Sequence, residues 1–432
     1  MKAALYTLGC KVNQYETQIM EQRLRAAGYE IAGADEAADV FVVNSCTVTA
    51  QSDAKCRKLL HRLRRMCPDA LIVLTGCMPQ AAPEAAAALT QADVITGTQE
   101  RAVIDEVIAE AMRGGRRVRI APHEPGERFA SACAEGFSQR TRAFVKIEDG
   151  CASYCSYCII PYARGPVRSK QPQELARELE GLARIGYREA VLVGINLSAY
   201  GSDLGLTLAD ALETAQAADG PERIRLGSLG PELVEDAFVE RIRPLNKLCP
   251  HFHLSLQSGC AATLARMSRR YTPAQYAGAV HRLRDAFPGC AITTDIIAGF
   301  PGETQQEFEE SLAFVQTMRF AQAHIFVYSR RSGTKAASLG GQVARAEKER
   351  RAHILREACD GSRGAFLEGR VGQTMRVLFE SSLRGDGREG FAGDYTPVRA
   401  VCGRELQGRF ADVRILSCDG ECCFGDVERI IS

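Results

Sequence analysis

The stretch that most constrains this chain is Lys146-Ile147-Glu148-Asp149-Gly150-Cys151-Ala152-Ser153-Tyr154-Cys155-Ser156-Tyr157-Cys158. It reads as an apolar strand that stops at a glycine and opens into a loop with thiols spaced CxxxCxxC. Three thiolates this close can grip one compact centre from one side. A structural zinc wants four closed N or S ligands, usually as two separated pairs. No histidine lies in the loop and no fourth cysteine follows closely. An iron–sulfur cube with one iron left open suits the spacing better, because thiolates are the usual ligands of such cubes. On spacing alone, zinc and a plain thiol-filled core stay open.

The 432 residues suggest two to four domains. Lysine and arginine total 54 against 53 aspartate and glutamate, a net charge of +1. No global field therefore points to nucleic acid, and such binding would need local patches. Seventeen cysteines are many and odd in number. Met1–Thr7 has no secretory pattern, so reduced thiols in a cytoplasmic protein are expected rather than a disulfide framework. No run of about eighteen apolar residues exists, so no membrane span is expected.

Residues 1–120 alternate short apolar runs with helical patterns. Strands are expected at Ala3–Leu8, Val40–Val43, Leu71–Leu74 and Val94–Ile95, and a helix from about Tyr15 to Ala27, stopped by Gly28. Repeated βα units predict an open parallel sheet with helices on both faces. Ligands of such sheets gather beyond the carboxyl ends of the strands. Cys10, Cys46 and Cys77 each fall at that edge. Singly, each would pass for a buried small hydrophobe; together they could share one ligand. Cys56 and Cys67 fall on a helical pattern and read as core. Lys55, Lys58, Arg62 and Arg65 recur at helical spacing, as a solvated face or a set of phosphate contacts.

A linker is expected over Pro122–Gly136. Residues 137–367 then show six strand-like runs: Phe144–Ile147, Ala190–Val193, Ile224–Leu226, Phe252–Leu256, Ala291–Ile297 and Ala323–Tyr328. Pro172 suits the start of a crossover helix with Leu175, Leu179, Leu182 and Ile185 as its apolar stripe. Thr304 and Glu307 suit a capping box. Six units are too few for a closed eight-stranded barrel. Residues 368–432 shift to short β-like runs at Thr374–Phe379, Phe391–Tyr395 and Arg409–Leu416, which predict a small antiparallel barrel. Over 370–432, nine basic residues against ten acidic ones give no electrostatic pointer to RNA. Cys418, Cys422 and Cys423 have no clear fourth partner.

The CxxxCxxC loop after a strand resembles the signature of radical S-adenosylmethionine enzymes. The resemblance implies a 4Fe–4S cluster on Cys151, Cys155 and Cys158, S-adenosylmethionine on its open iron, and a partial (βα)6 barrel. Gly9-Cys10-Lys11-Val12-Asn13, Asn44-Ser45-Cys46-Thr47 and Thr75-Gly76-Cys77 resemble the N-terminal domain of methylthiotransferases. By that resemblance Cys10, Cys46 and Cys77 would hold a second 4Fe–4S cluster. The first of these motifs is most like the branch acting on threonylcarbamoyladenosine in tRNA. Ile159-Ile160-Pro161-Tyr162-Ala163-Arg164-Gly165, Leu254–Gly259 and Thr294–Thr304 are similar to the same family's core. Within these, Gln257 and Asp295 would be cofactor contacts or merely loop caps, and the resemblance also implies cofactor contacts at Gly194, Asn196 and Ser228, at the ends of the second and third core strands. Arg164 could reach a carboxylate or a phosphate.

Two stretches depart from the radical S-adenosylmethionine pattern. Val193-Gly194-Ile195-Asn196 stands where a Gly-Gly-Glu run is common. Gly227-Ser228-Leu229-Gly230-Pro231 lacks the acidic side chain often found there. The C-terminal module resembles the TRAM domain, an RNA-binding barrel, with Arg384, Arg388, Arg399, Phe391 and Tyr395 as candidate contacts.

As a whole the resemblance implies an α/β enzyme that adds a methylthio group to tRNA. Its partners would be tRNA and an electron donor such as a flavodoxin or ferredoxin; the sulfur donor is not read from the sequence. Alternatives are the same reaction on another tRNA adenosine or on a ribosomal protein side chain, and a non-enzymatic RNA-binding iron–sulfur sensor.

Overall fold

The computed structural model describes residues 1–432 except 34–35, 135, 137–140, 383–386, 402–405 and 432. The expected start of the core at 137 lies outside the described residues.

Six strands form the N-terminal sheet: β1 Lys2–Thr7, β2 Glu30–Ile31, β3 Val40–Ser45, β4 Leu71–Gly76, β5 Val94–Thr96 and β6 Arg117–Arg119. All pairs are parallel, in the order β2-β1-β3-β4-β5-β6. Every residue of β3 is buried, as parallel strands covered on both faces require. Phe41, Leu60, Leu63, Ile72 and Leu74 fill one face; Met20, Leu24, Val42, Val73 and Ile108 fill the other. Fully burying such side chains is worth about 1.5–3 kcal/mol each. That is enough to hold the strand ends, and the loops beyond them, in fixed register.

The first helix runs Lys11–Ala26, starting directly after Cys10 rather than near Tyr15. Asn13 and Glu16 in its first turns are buried through polar contacts, so the apolar period does not mark the true start. The two-residue β2 and the exposed β6 carry no apolar run and escaped the sequence reading.

The core holds two parallel sheets. β7 Arg142–Lys146, β10 Glu189–Val193 and β11 Arg223–Leu226 form one. β12 Ser228–Leu229, β13 His251–Leu254, β14 Ala291–Ala298 and β15 Gln322–Val327 form the other. A short antiparallel ribbon, β8 Glu148–Asp149 with β9 Arg168–Ser169, brackets the cysteine loop. Helix Pro172–Arg184 opens on its proline and buries Leu175, Leu179 and Leu182. Ile185 is the residue past its end and is exposed, so it leaves the expected stripe. Helix Gln305–Met318 is closed by the Thr304/Glu307 capping box.

Helix Arg345–Glu368 leads to a closed barrel, β16-β17-β18-β20-β19: β16 Thr374–Ser382, β17 Gly387–Ala392, β18 Pro397–Val401, β19 Phe410–Cys418 and β20 Cys423–Ile431. The expected strand Phe391–Tyr395 is instead the end of β17 and a turn. Tyr395 takes φ +70° and donates its N–H to the Ala392 carbonyl, after Gly393-Asp394. Among the described residues no helix is long and apolar enough to cross a membrane.

Candidate metal centres and the cavity beside them

β1, β3 and β4 are neighbours in register, with Thr7 opposite Asn44 and Asn44 opposite Thr75. Cys10, Cys46 and Cys77 follow these ends and therefore come to one edge of the sheet. The Asn13 side chain ties two of the loops together, donating to the carbonyls of Leu8 (2.7 Å) and Ser45 (3.1 Å). Gly9 sits at φ +109°; a Cβ there would stand 2.5 Å from Cys46 Cβ and 2.8 Å from its Sγ. Cys10 is exposed, while Cys46 and Cys77 are buried. Burial pushes the Cys77 thiol up to about 12, the Arg164 guanidinium pulls it back, and charges on Cys10 and Cys46 raise it further. The three sulfurs therefore lie within electrostatic reach of one another.

The second trio starts at Gly150, at φ +93°, where a Cβ would run into the Pro166 carbonyl oxygen. The loop is pinned by Ser156 N–H to the Met267 carbonyl and Cys158 N–H to the Cys155 carbonyl, both 2.9 Å. Cys151, Cys155 and Cys158 are all partly exposed. Burial raises Cys158 to about 12, with Cys155 and Cys151 adding to the effect. Arg269 Nη1 donates to Cys155 Sγ at 3.3 Å.

The described cysteines are all free. Among the described residues no three His, Cys, Asp or Glu side chains converge as a single ion needs.

A buried ionic network joins the two regions, and the sequence did not show it. Arg164 is fully buried. Its Nε donates to Cys77 Sγ (3.2 Å) and its Nη1 to Glu16 (2.6 Å) and Asp149 (3.3 Å). Lys146 bridges Glu16 (2.9 Å) and Asp149 (2.8 Å), while Arg101 pairs with Glu16 and Arg168 with Glu127. The short helix Ile160–Arg164, which begins just after Cys158, packs on the helix that Cys77 opens. A cavity of about 430 Å³ lies beside this network and is lined by none of the six candidate cysteines.

A larger cavity, about 810 Å³, opens between the core sheets, the Cys10 loop and the C-terminal barrel. Of the sequence candidates, Gly194, Ser228 and Asp295 line it together with Cys10. Asp295 Oδ2 stands 3.3 Å from His253 Nε2. Asn196 and Gln257 are not on its wall. The Asn196 N–H donates to Glu148 Oε2 at 2.6 Å, and the Gln257 N–H donates to the Asp295 carbonyl at 2.8 Å.

A Cβ on Gly194 would stand 2.6 Å from Glu148 Oε2, which is why glycine occupies that position. Glu148 is fully buried, and burial holds its pKa well above the usual carboxylate range. Among the described residues its Oε1 has no hydrogen-bond partner. Sequence reasoning missed Glu148, although a carboxylate directly after an apolar strand was a usable signal.

The residues expected to contact RNA on the barrel fall in different places. Phe391 and Tyr395 stack on each other (centroids 4.7 Å apart), with Arg142 over both rings and Tyr395 against His251. They line the large cavity rather than open solvent. Arg388 is buried, Arg399 pairs with Glu389 at 2.7 Å, and Arg384 lies outside the described residues. The basic helix Ala50–Met66 does expose Lys55, Lys58, Arg62 and Arg65.

Residues 145–315 match the model of the Radical SAM superfamily, and residues 2–97 that of "Uncharacterized protein family UPF0004". A solved structure of the radical S-adenosylmethionine methyltransferase TsrM from Kitasatospora setae is 16% identical with a TM-score of 0.58, covering 78% of this chain and 77% of that one. The chain thus has a radical S-adenosylmethionine fold.

Threonylcarbamoyladenosine tRNA methylthiotransferase MtaB of Bacillus subtilis (strain 168) is 34% identical over 96% of this chain and 93% of that protein. The Thermotoga maritima protein of the same name is 36% identical over 96% and 94%. The tRNA-2-methylthio-N(6)-dimethylallyladenosine synthase of Caldicellulosiruptor saccharolyticus is 34% identical over 98% and 92%. This chain belongs to the radical S-adenosylmethionine methylthiotransferase family.

Proposed function

We propose that this protein transfers a methylthio group to carbon two of threonylcarbamoyladenosine at position 37 of tRNA, in the cytoplasm. The observation that carries the reading is the shared cavity. Cys10, from the N-terminal sheet, lines the same space as Gly194, Ser228 and Asp295 of the core. Cys151, Cys155 and Cys158 would hold one 4Fe–4S cluster, and Cys10, Cys46 and Cys77 the second. Each set offers three thiols, which suits a cube with one free iron.

With S-adenosylmethionine bound, the first cluster supplies a radical able to take hydrogen from an unactivated carbon. An aromatic C–H needs such an agent, since no side-chain base removes that proton near neutral pH. The chain's own residues hold and orient. Arg269 and Arg164 place a guanidinium against one sulfur of each trio. The Glu16–Lys146–Asp149–Arg164 network fixes the N-terminal sheet to the core, so that both trios keep one spacing.

Names of the relatives support threonylcarbamoyladenosine, and the dimethylallyladenosine synthases supply the second reading. Nucleoside mass spectrometry of tRNA from cells lacking the gene tests both. Loss of the methylthio group from threonylcarbamoyladenosine, restored by the gene, is expected. Loss from dimethylallyladenosine instead would transfer the assignment. The electron donor is proposed to be a flavodoxin or ferredoxin.

A further inference from the structure

The large cavity has an uneven set of cations. Arg225 is tied to Glu189 (2.7 Å) and to the Gly393 carbonyl (2.9 Å). Arg399 is tied to Glu389 at 2.7 Å, and Arg363 donates to the Glu421 carbonyl at 2.6 Å. His251 and His324 are pushed toward the neutral form, first of all by burial. Lys11 differs from all of these. It lines the cavity at the head of its helix, and among the described residues its ammonium has no hydrogen-bond or ion-pair partner. The charged and titratable groups acting on it are Tyr395, Arg142, Arg225 and Asp295.

Lys11 is exposed where it lines this wall, so its ammonium is hydrated and free to take an anion that enters the cavity. The two candidate substrates differ in that respect. The threonylcarbamoyl group ends in a free carboxylate and a hydroxyl; the dimethylallyl group is apolar throughout. Relatives of both kinds match this chain about equally, so overall likeness does not separate them. Position along the chain adds a second argument. Lys11 directly follows Cys10, and carbon two and the N6 substituent belong to the same six-membered ring. A base with carbon two near the Cys10 trio therefore brings its substituent to the neighbouring wall.

Resting on the function proposed above, we infer that Lys11 pairs with the threonyl carboxylate of the modified base and selects it over an apolar substituent. It is a specificity residue and takes no part in the chemical step. A polar site left unpaired by the wrong ligand discriminates more strongly than an apolar pocket does.

The test uses the anaerobically reconstituted full-length protein without reductant or S-adenosylmethionine. Three synthetic anticodon stem-loops are titrated by fluorescence anisotropy, carrying threonylcarbamoyladenosine, dimethylallyladenosine or plain adenosine. The wild type is expected to prefer the first. K11M should reduce that preference about tenfold, the worth of one charge-assisted pair, and K11R should keep it. K11Q repeats the charge removal with a polar helix start, should the methionine disturb the Cys10 loop. A preference that survives K11M and K11Q overturns the inference alone, as does equal weakening toward all three RNAs, which would mark a backbone contact. A wild type without the preference overturns the substrate assignment and this inference with it.

Discussion

Replacing Arg164 with methionine probes the junction of the two regions. The buried set holds four cations (Arg101, Lys146, Arg164, Arg168) against three carboxylates (Glu16, Glu127, Asp149). A thiolate at Cys77, as a metal ligand requires, brings the count to balance. Removing one member of a buried pair costs about 3–5 kcal/mol. The lower end applies in the metal-free protein, because Glu16 keeps Arg101 and Lys146, and Asp149 keeps Lys146 and Arg168. The main orphan is the fully buried Asn13 side chain, whose Oδ1 accepts from Arg164.

Arg164→Met should therefore lose about 3 kcal/mol without iron, and more with iron, when the Cys77 thiolate is unbalanced. Urea unfolding followed by far-UV circular dichroism measures this, the chain having no tryptophan to report by fluorescence. A loss under about 1 kcal/mol, equal with and without iron, would refute the reasoning, since that is the scale of an exposed pair.

Gly9→Ala should disturb the Cys10–Cys46 edge, where its Cβ would stand 2.5 Å from Cys46 Cβ, and lower iron content. Gly28→Ala, also at positive φ but with nothing within 4 Å, should cost about 1 kcal/mol and leave iron unchanged. Burial raises the Cys56 thiol from 9.0 to about 12. Over that window unfolding releases a proton, so metal-free stability falls as pH rises. The gap between wild type and Cys56→Ala should narrow by up to about 1.4 kcal/mol per pH unit above 9; a constant gap would contradict the shift. Arg225→Leu takes from the buried Glu189 its nearest cation, leaving Arg223 at 3.6 Å and Arg142 at 4.0 Å, and drops bonds to the Ala392 and Gly393 carbonyls. Limited proteolysis should then release the C-terminal barrel, which stays protected in the wild type.

Contiguous patterns carried most of what the sequence told. The CxxxCxxC run places three thiols on one loop whatever else folds around it, and β1, β3 and β4 are apolar enough to show where Cys10, Cys46 and Cys77 must lie. Contacts between distant segments were hidden. Arg164 meets Cys77 across 87 positions, and nothing local in Ile160–Arg164 names its partner. Glu148 explains Gly194 only once β7 and β10 pair, with Lys146 opposite Val193. In the barrel, β18 begins with a proline and β20 mixes charges into its alternation, so neither stood out. That Phe391 and Tyr395 turn toward the core was not legible, because the sequence does not say which face of a small barrel meets it.

Two separate thiol trios, each with its own cube, form the central claim. Iron and sulfide counts after anaerobic reconstitution test it most directly, on the wild type and on two variants that replace Cys10/Cys46/Cys77 or Cys151/Cys155/Cys158 with alanine. About eight irons and eight sulfides are predicted for the wild type and about four of each for either variant. A wild type with about four of each, unaffected by replacing Cys10, Cys46 and Cys77, would contradict it.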